Sequence, residues 1–396
     1  MRRPVYVVGG ASTPFLGKGR RDFVRGEQPS LEEQLRRGLL ACFESTGVDP
    51  SEIDRAWLSN FLGELFAEQG HASALFPAVI PELDGVPAMR VEAACASGGF
   101  AVTSAFDALQ GPWCDVALVA GVEVENTVRG RDGVEYMAYA AHMETDRDKE
   151  FALFPWFFAR RARAWKELAG TDEGPLARVV EQAYAKARRN PLALQHHHAP
   201  ITTDTVLGSA TFLDDPELHE HIRLLHCTAF TDGCSAAILA NEEGLSRLGI
   251  DPGDCTQILS YGQSVAALGG ETDPARMSNM ARAAGIAFER ANLRPDAIDV
   301  AEVHDCFAAA QLQVIEALGL TPEGRGHTVE IPVNPGGGLL GFGHPIGATG
   351  VKQVVEVFKQ LKGLAGPYQQ PGVLDHAVTA NLGGDDRTGV VMVHRA

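Results

Sequence analysis

The stretch FESTGVDPSEIDRA at residues 43–56 recurs as FERANLRPDAIDVA at residues 288–301. Phe, Glu, Pro, Ile, Asp and Ala stand at matching places in the two copies, without a gap. Each copy has a helical pattern, then a proline-containing turn that Gly47 or Asn292 opens, then an apolar strand predicted at 53–58 or 298–303. A repeat of this kind indicates that one α/β unit is present twice in the chain.

A second pair of segments extends the duplication. Apolar residues at helical spacing follow Cys95 and His344, and both stripes begin seven residues downstream. Small residues separate each stripe from the preceding Cys or His, at 97–99 and 347–350. Cys95 and His344 therefore hold matching places, each just ahead of a helix, and a pseudo-twofold axis is expected to bring them face to face. Four further strands are predicted: 116–120, 235–239, 377–380 and 390–393.

The predicted domain organisation is two α/β halves and an insertion. Residues 126–205 fit neither strand alternation nor the duplication, and their aromatic and arginine-rich pattern favours an inserted, mostly helical loop domain. The first half then covers residues 1–125 and is completed by 206–248. The second half covers residues 249–396.

Composition excludes several classes of protein. The chain has 396 residues, 45% of them hydrophobic and 21% charged, which is typical of a folded globular protein. A formal net charge of -17 disfavours nucleic-acid binding, which needs a clustered basic face. No uncharged apolar stretch is long enough to span a membrane, and the N-terminus lacks a secretory pattern. Seven cysteines without a C-x-x-C pair predict free thiols in a reducing cytoplasm.

Cys95 is the candidate nucleophile. It lies in VEAACASGG (residues 91–99), where a strand leads into a helix through small residues. A helix N-terminus lowers the pKa of a thiol placed there and so favours the thiolate. On this motif alone, a buried structural cysteine remains the commoner alternative.

The glycine-rich segment NPGGGLLGFGHPIGATG (residues 334–350) supplies a partner. His344 is expected to take the thiol proton and hold the thiolate as an ion pair. The G-x-G-x-x-G pattern formed by Gly336, Gly338 and Gly341 does not indicate a dinucleotide site. That fingerprint links a strand directly to a helix, whereas prolines and His344 intervene here.

A third motif, EVHDCF (residues 302–307), ends the repeated strand of the second half. Sites form at strand carboxyl ends in α/β sheets, so His304 and Cys306 are candidates for a hydrogen-bond donor and a proton-transferring thiol. A structural core pair is the alternative that the motif alone leaves open. The other histidine clusters, at 196–198 and at 219, 221 and 226, lack metal-ligand spacing. They are predicted to be solvated loops, and no metal site is predicted.

Taken together, the motifs CASGG (95–99), HDCF (304–307) and GHPIGATG (343–350) resemble those of the thiolase superfamily. The resemblance covers nearly the whole chain. HDCF is most similar to the sterol-carrier-protein type and to the archaeal-like bacterial thiolases, since better-known members carry Asn-Glu-Ala-Phe there. The resemblance implies a duplicated five-layered α-β-α-β-α fold with an inserted loop domain that helps to bind coenzyme A. It also implies a homodimer or homotetramer, with coenzyme A and acyl-CoA as substrates and no bound cofactor.

The resemblance also implies a role for each candidate residue. Cys95 would accept the acyl group, His344 would activate it, Cys306 would act as acid and base, and His304 would help to form the oxyanion hole for the enolate. The backbone N–H groups of Cys95 and Gly383 would form a second oxyanion hole. Thr228 falls where the family contacts the pantetheine arm of coenzyme A.

One departure stands near the C-terminus, where most thiolases carry Cys-x-Gly and this chain has Asn381-Leu382-Gly383-Gly384-Asp385-Asp386. The usual acid–base cysteine is missing, so Cys306 is expected to take its task.

These observations predict an acetyl-CoA C-acyltransferase that cleaves 3-oxoacyl-CoA with coenzyme A, or runs the reverse Claisen condensation, through a Cys95 acyl-enzyme. Two alternatives remain at this point. One is a ketosynthase-like condensing enzyme with a Cys-His-His set formed by Cys95, His304 and His344. The other is a weakly catalytic acyl-CoA-binding subunit that works with an OB-fold, zinc-ribbon partner.

Overall fold

The computed structural model describes residues 3–396. Within them the strands are β1 (Val5–Ser12), β2 (Arg55–Ser59), β3 (Ala88–Val91), β4 (Val116–Glu123), β5 (Gly233–Ala240), β6 (Thr256–Val265), β7 (Val300–Val303), β8 (His376–Gly383) and β9 (Thr388–Arg395). The helices are α1 (Leu31–Thr46), α2 (Gly63–Phe66), α3 (Leu75–Val79), α4 (Ser97–Leu109), α5 (Gly130–Met137), α6 (Met143–Asp146), α7 (Leu153–Ala169), α8 (Gly174–Ala187), α9 (Thr203–Leu207), α10 (Glu242–Leu248), α11 (Ser278–Ala291), α12 (Ala308–Ala317), α13 (Gly338–Phe342) and α14 (Thr349–Leu361).

The strand order shows the duplication directly. The sheet runs β3-β2-β4-β5-β1-β6-β9-β8-β7, so the second half repeats the order of the first outward from its centre. In each half a parallel pair, β2·β4 or β7·β8, continues into an antiparallel pair, β4·β5 or β8·β9. The matching strands β1 and β6 pair antiparallel, as in Val5 opposite Ile258, and so join the halves.

The helices stack in layers on these strands. Helix α1 packs on β1 and β5, and its counterpart α11 packs on β6 and β9. Helices α4 and α14 contact each other between the two half-sheets, which gives the order α-β-α-β-α. Their contact is made by backbone: a Cβ on Gly98 would lie 2.6 Å from the nitrogen of Gly350. This close approach brings the N-terminal ends of both helices, and the segments that lead into them, to one place.

Between β4 and β5 the chain is helical, with α5 to α9 and no strand among these described residues. Helix α7 packs against α12, and the ring of Phe158 stacks on Phe307 with centroids 4.3 Å apart. The proposed boundaries of the insertion, 126–205, stay a prediction. None of the helices in the described part of the chain has the length and hydropathy needed to cross a bilayer.

Some element bounds differ from the sequence-based expectation. The predicted strand 53–58 begins only at Arg55, because Pro50–Glu52 form a 3₁₀ turn that the Asp49 side chain caps. The glycine-rich segment contains the unexpected short helix α13. Two backbone amide groups of α13 donate hydrogen bonds to the Asp305 carboxylate, from the Leu339 nitrogen at 2.6 Å and from the Leu340 nitrogen at 3.4 Å.

Candidate active site

Cys95 lies on a tight elbow between β3 and α4. Ala94 adopts a left-handed backbone conformation with φ of 50°, which a non-glycine residue rarely does. Ser97 closes the elbow, since its Oγ donates to the Ala94 carbonyl at 2.5 Å and accepts from the Ala93 nitrogen at 2.8 Å. Strained elbows of this type cluster at functional sites. The elbow leaves Cys95 half-buried on the wall of a cavity.

His344 lies on the opposite side, just before α14, and its ring contacts Thr349. Its Nδ1 lies 2.6 Å from the Thr349 hydroxyl, which also lies 3.1 Å from the Pro345 carbonyl. When the hydroxyl donates to that carbonyl, it accepts from His344. The imidazole then carries its proton on Nδ1, and the lone pair of Nε2 is available to accept a thiol proton.

His304 has the opposite arrangement, set by Asn381. The Asn381 amide donates through Nδ2 to the Cys95 carbonyl at 3.0 Å, and its Oδ1 accepts from the Gly99 nitrogen at 3.0 Å. The same Nδ2 lies 3.1 Å from Nδ1 of His304, which must therefore accept. A neutral His304 then carries its proton on Nε2, an atom that is buried and has no hydrogen-bond partner among the described residues.

The three side chains converge. The thiol of Cys95 and one ring nitrogen each of His304 and His344 lie within 4.8 Å of one another. The two imidazole rings are 5.0 Å apart and nearly perpendicular. The accepting nitrogen can take the proton of the thiol, and the donating nitrogen can hydrogen-bond to an oxyanion that develops during the reaction. The same set of atoms can also ligate a soft metal ion, so the absence of a metal stays a prediction.

The electrostatics of the site correct the expected ion pair. Burial, followed by the nearby Glu125 carboxylate, raises the pKa of the Cys95 thiol to about 12, although hydrogen bonding to the Gly384 backbone opposes the shift. Burial, with Lys352 as a second cause, lowers the pKa of His344 to about 3. Thiol and imidazole are therefore both neutral at rest. The expectation that the pKa of this thiol is lowered at the helix N-terminus was wrong, because burial raises it.

The remaining two candidates line the same cavity. Cys306 is 7% exposed, and burial, followed by the nearby Cys95, raises the pKa of its thiol well above the usual value. A neutral thiol is the form that can donate a proton. Thr228 is half-buried, and its backbone nitrogen donates to the Cys306 carbonyl at 3.1 Å.

The cavity has a volume of about 880 Å³ and connects the reactive groups with the helical insertion. Its wall is mostly apolar, and the phenylalanines that line it are Phe23, Phe61, Phe151, Phe154, Phe158, Phe212, Phe230 and Phe307. A cleft of this size with few polar groups is typical of a small-molecule site.

The turn after β8 places Gly384, and not Gly383, beside the nucleophile. Gly384 lines the cavity and its backbone N–H lies against the Cys95 sulfur. Gly383 is buried behind it: a Cβ there would come within 2.6 Å of the Ala93 carbonyl. The N–H of Gly383 as an oxyanion donor stays a prediction, and Gly384 is a second candidate that sequence alone did not single out.

Sequence reasoning missed other features. It noted Asn381 as a departure but not its contact with His304, and it passed over Thr349, whose only signal was its place five residues after His344. His226 was expected in a solvated loop, yet it is 2% exposed. Burial, followed by the charge of Arg223, lowers the pKa of His226 to about 4, so that it is neutral.

Comparison with known proteins agrees with this geometry. Residues 5–154 match the thiolase N-terminal domain and residues 261–395 the thiolase C-terminal domain-like family. An acetyl-CoA acetyltransferase of Methanothermobacter thermautotrophicus is 33% identical over 99% of both chains. Human sterol carrier protein 2 is 28% identical over 96% of this chain and 70% of its own length. The solved structure of the Ltp2-ChsH2(DUF35) aldolase, 18% identical, has a TM-score of 0.76 over 99% of this chain and 98% of the other.

These matches confirm the expected fold and the class of chemistry. Two family domains in the right order, a relative that is one-third identical from end to end, and a Cys-His-His group at the meeting point of the two halves all agree. The chain belongs to the thiolase family, and it is a thiolase-type acyltransferase that transfers acyl groups between coenzyme A thioesters.

Proposed function

We propose that the chain is an acetyl-CoA C-acyltransferase in which Cys95, His344, Cys306 and His304 carry the reaction. The observation that supports this most is the convergence of the Cys95 thiol with one ring nitrogen each of His304 and His344 within 4.8 Å, in a cavity that Cys306 also lines. Its similarity to an archaeal acetyl-CoA acetyltransferase supports the acetyl group as the unit transferred.

The first half-reaction then runs as follows. His344 takes the Cys95 proton as the sulfur bonds to the 3-carbonyl carbon of a 3-oxoacyl-CoA. The bond between carbons 2 and 3 breaks, and its electron pair forms the enolate of acetyl-CoA. His304 donates a hydrogen bond to the enolate oxygen, and Cys306 protonates the α-carbon. Backbone N–H groups at Cys95 and at the turn after β8 hold the other oxyanion.

In the second half-reaction the thiol of coenzyme A attacks the Cys95 thioester. Its proton passes to Cys306, which the first half-reaction left deprotonated. The thioester bond to Cys95 breaks, the Cys95 sulfur takes back the proton held on His344, and a shortened acyl-CoA leaves. The reverse sequence is a Claisen condensation. Neutral resting thiols suit both directions, because each step needs a proton to move with the bond that forms.

The test is thiolysis of acetoacetyl-CoA, followed by the absorbance of its magnesium enolate. We expect the wild type to consume this absorbance only when coenzyme A is present, and Cys95→Ala to abolish the loss. Cys227→Ala is the matched control, since Cys227 lines the same cavity and has no proposed role. No consumption by the wild type, or equal consumption by Cys95→Ala, would refute the proposal.

A ketosynthase-like condensing enzyme is the second candidate. It is favoured by the fact that the group within 4.8 Å contains Cys95, His304 and His344 but not Cys306. This candidate requires a malonyl donor and predicts that condensation survives Cys306→Ala. Condensation of acetyl-CoA alone that is lost in Cys306→Ala excludes it.

A partner protein, the assembly state and the cellular location belong to the same proposal. One structural neighbour, the Ltp2-ChsH2(DUF35) aldolase, carries a second component in its name. This supports testing a weakly catalytic binding subunit that depends on a small OB-fold, zinc-ribbon protein. Tight binding of acyl-CoA without turnover, and without preferential alkylation of Cys95, would favour that alternative. We further propose a cytoplasmic homodimer or homotetramer, whose assembly state light scattering on the purified protein tests.

A further inference from the structure

We propose that Asp385, held by Arg161, is a positioning residue that sets the Gly384 N–H against the Cys95 sulfur and ties the cavity-lining helix α7 to the thioester site. The inference rests on the proposed role of Cys95. It concerns the acidic pair after Gly384, which the resemblance to other thiolases leaves unexplained.

The turn that carries Gly384 needs an external support. Gly384 and Asp386 both have left-handed backbone conformations, with φ of 65° and 54°. For Asp386 this is a costly conformation, which persists only when its surroundings over-determine it. Within the turn itself, the Arg387 nitrogen donates to the Gly383 carbonyl at 3.1 Å. The turn packs on the Cys95 elbow, since a Cβ on Gly383 would touch Ala93 and Ala96.

Asp386 supplies one support, from the second half of the fold. Its carboxylate accepts hydrogen bonds from the backbone nitrogens of Asn279 at 2.9 Å and Met280 at 3.0 Å. These are free amide groups in the first turn of α11, so Asp386 caps that helix from outside.

Asp385 supplies the other support, from the helical insertion. Its carboxylate accepts from Nε of Arg161 and, at 3.0 Å, from the Thr272 hydroxyl. The side chains of Arg161 and Asp385 are only 1% and 7% exposed. Arg161 is held in turn by the Arg276 carbonyl, which accepts from its Nη1 at 3.0 Å.

A buried ion pair of this kind calls for an explanation other than stability. Apolar replacements of similar volume often leave stability unchanged or raise it, because both charges must be desolvated. What the pair does provide is a fixed, directional link. Arg161 lies on α7 one turn after Phe158, and Leu153, Phe154 and Phe158 of the same helix line the cavity. The ion pair between Arg161 and Asp385 therefore connects helix α7, which lines the cavity, with the turn that carries the Gly384 N–H.

The test compares the wild type with the double variant Arg161→Met/Asp385→Asn, which removes both charges and leaves the net charge unchanged. Two readouts are taken: kcat per Cys95 that iodoacetamide can label, and the rate constant of Cys95 alkylation at one fixed pH, followed on the Cys95 peptide by mass spectrometry. We expect kcat to fall at least about tenfold, as for the partial loss of an oxyanion donor, while KM for coenzyme A changes less than about twofold. Cys95 alkylation at fixed pH should become slower, because the N–H that favours the thiolate is displaced.

Matched variants separate positioning from a loss of fold. Glu173→Gln breaks another ion pair of the insertion, a partly buried contact to Arg223 at 3.0 Å, and neither residue lines the cavity. It should leave both readouts unchanged. Arg161→Lys, which keeps the charge, should retain more activity than Arg161→Met. If the double variant does not fold, Arg161→Lys and Asp385→Glu are measured in its place with the same expected directions.

An unchanged kcat per labelled Cys95 together with an unchanged alkylation rate would overturn the inference, whatever happens to Tm. The alkylation readout does not need turnover. A wild type without thiolysis activity therefore refutes the proposed function, while slower Cys95 alkylation in the double variant still supports the positioning role.

Discussion

Asn381→Asp is the substitution that most sharply tests the arrangement of donors around Cys95. The change is nearly isosteric, and the new carboxylate can still accept the Gly99 nitrogen. It can donate neither to Nδ1 of His304, which now lies 3.1 Å from the amide nitrogen, nor to the Cys95 carbonyl, which lies 3.0 Å from it. A carboxylate there recruits the His304 proton to Nδ1 and leaves Nε2 as an acceptor, so the enolate loses its donor. Loss of one preorganised oxyanion donor costs about 2.7–4 kcal/mol, or about 10²–10³-fold in kcat.

The assay separates the two kinds of chemistry that the site performs. Thiolysis of acetoacetyl-CoA needs the enolate donor, whereas exchange of the acetyl group between acetyl-CoA and labelled coenzyme A needs only Cys95, His344 and the backbone N–H groups. We expect Asn381→Asp to lose about 10²–10³-fold in thiolysis and markedly less in exchange. Undiminished thiolysis would refute the assignment of His304 as the enolate donor.

Four further substitutions test other parts of the account. Cys306→Ser should lower thiolysis by about 10²-fold or more and exchange much less, as expected for a lost general acid; equal rates would remove Cys306 from the mechanism. Thr349→Val removes the acceptor of the His344 Nδ1–H, which should lower both reactions roughly tenfold; unchanged rates in steady-state assays would show that the tautomer of His344 is set otherwise. Phe151 lies at the rim of the cavity and is 49% exposed, so Phe151→Ala should raise KM for the acyl-CoA severalfold while Tm stays constant. Burial lowers the pKa of His394 to about 3. Between pH 7 and pH 5 the unfolded state then binds a proton at this histidine that the folded state does not bind, so the unfolding free energy of the wild type falls by about 2 kcal/mol. His394→Gln should lack this loss in urea titrations at the two pH values; parallel pH profiles would contradict this.

Local pattern was enough to predict the frame of the site. The duplicated segments fixed the order of helices and strands, and the matching places of Cys95 and His344 predicted that they meet. Both conclusions come from short local patterns that occur once in each half of the chain, and hydrophobic periodicity and small residues carry the signal in each copy.

The contacts that define the chemistry are long-range and left no local pattern. Asn381 and His304 are 77 residues apart and touch because β7 and β8 pair side by side. Arg161 and Asp385 are 224 residues apart and meet only once α7 packs on the second half. The pKa of Cys95 was predicted in the wrong direction because the helix terminus is visible in the sequence, whereas the depth of burial is not.

The central claim is that Cys95 carries the acyl group between two coenzyme A molecules. Mass spectrometry of the protein after brief exposure to acetyl-CoA, with the peptides mapped, tests it most directly. The account predicts one acetyl group, located on the Cys95 peptide, that free coenzyme A removes again. An acetyl group on another residue, or none in a protein that still turns over acetoacetyl-CoA, would contradict it.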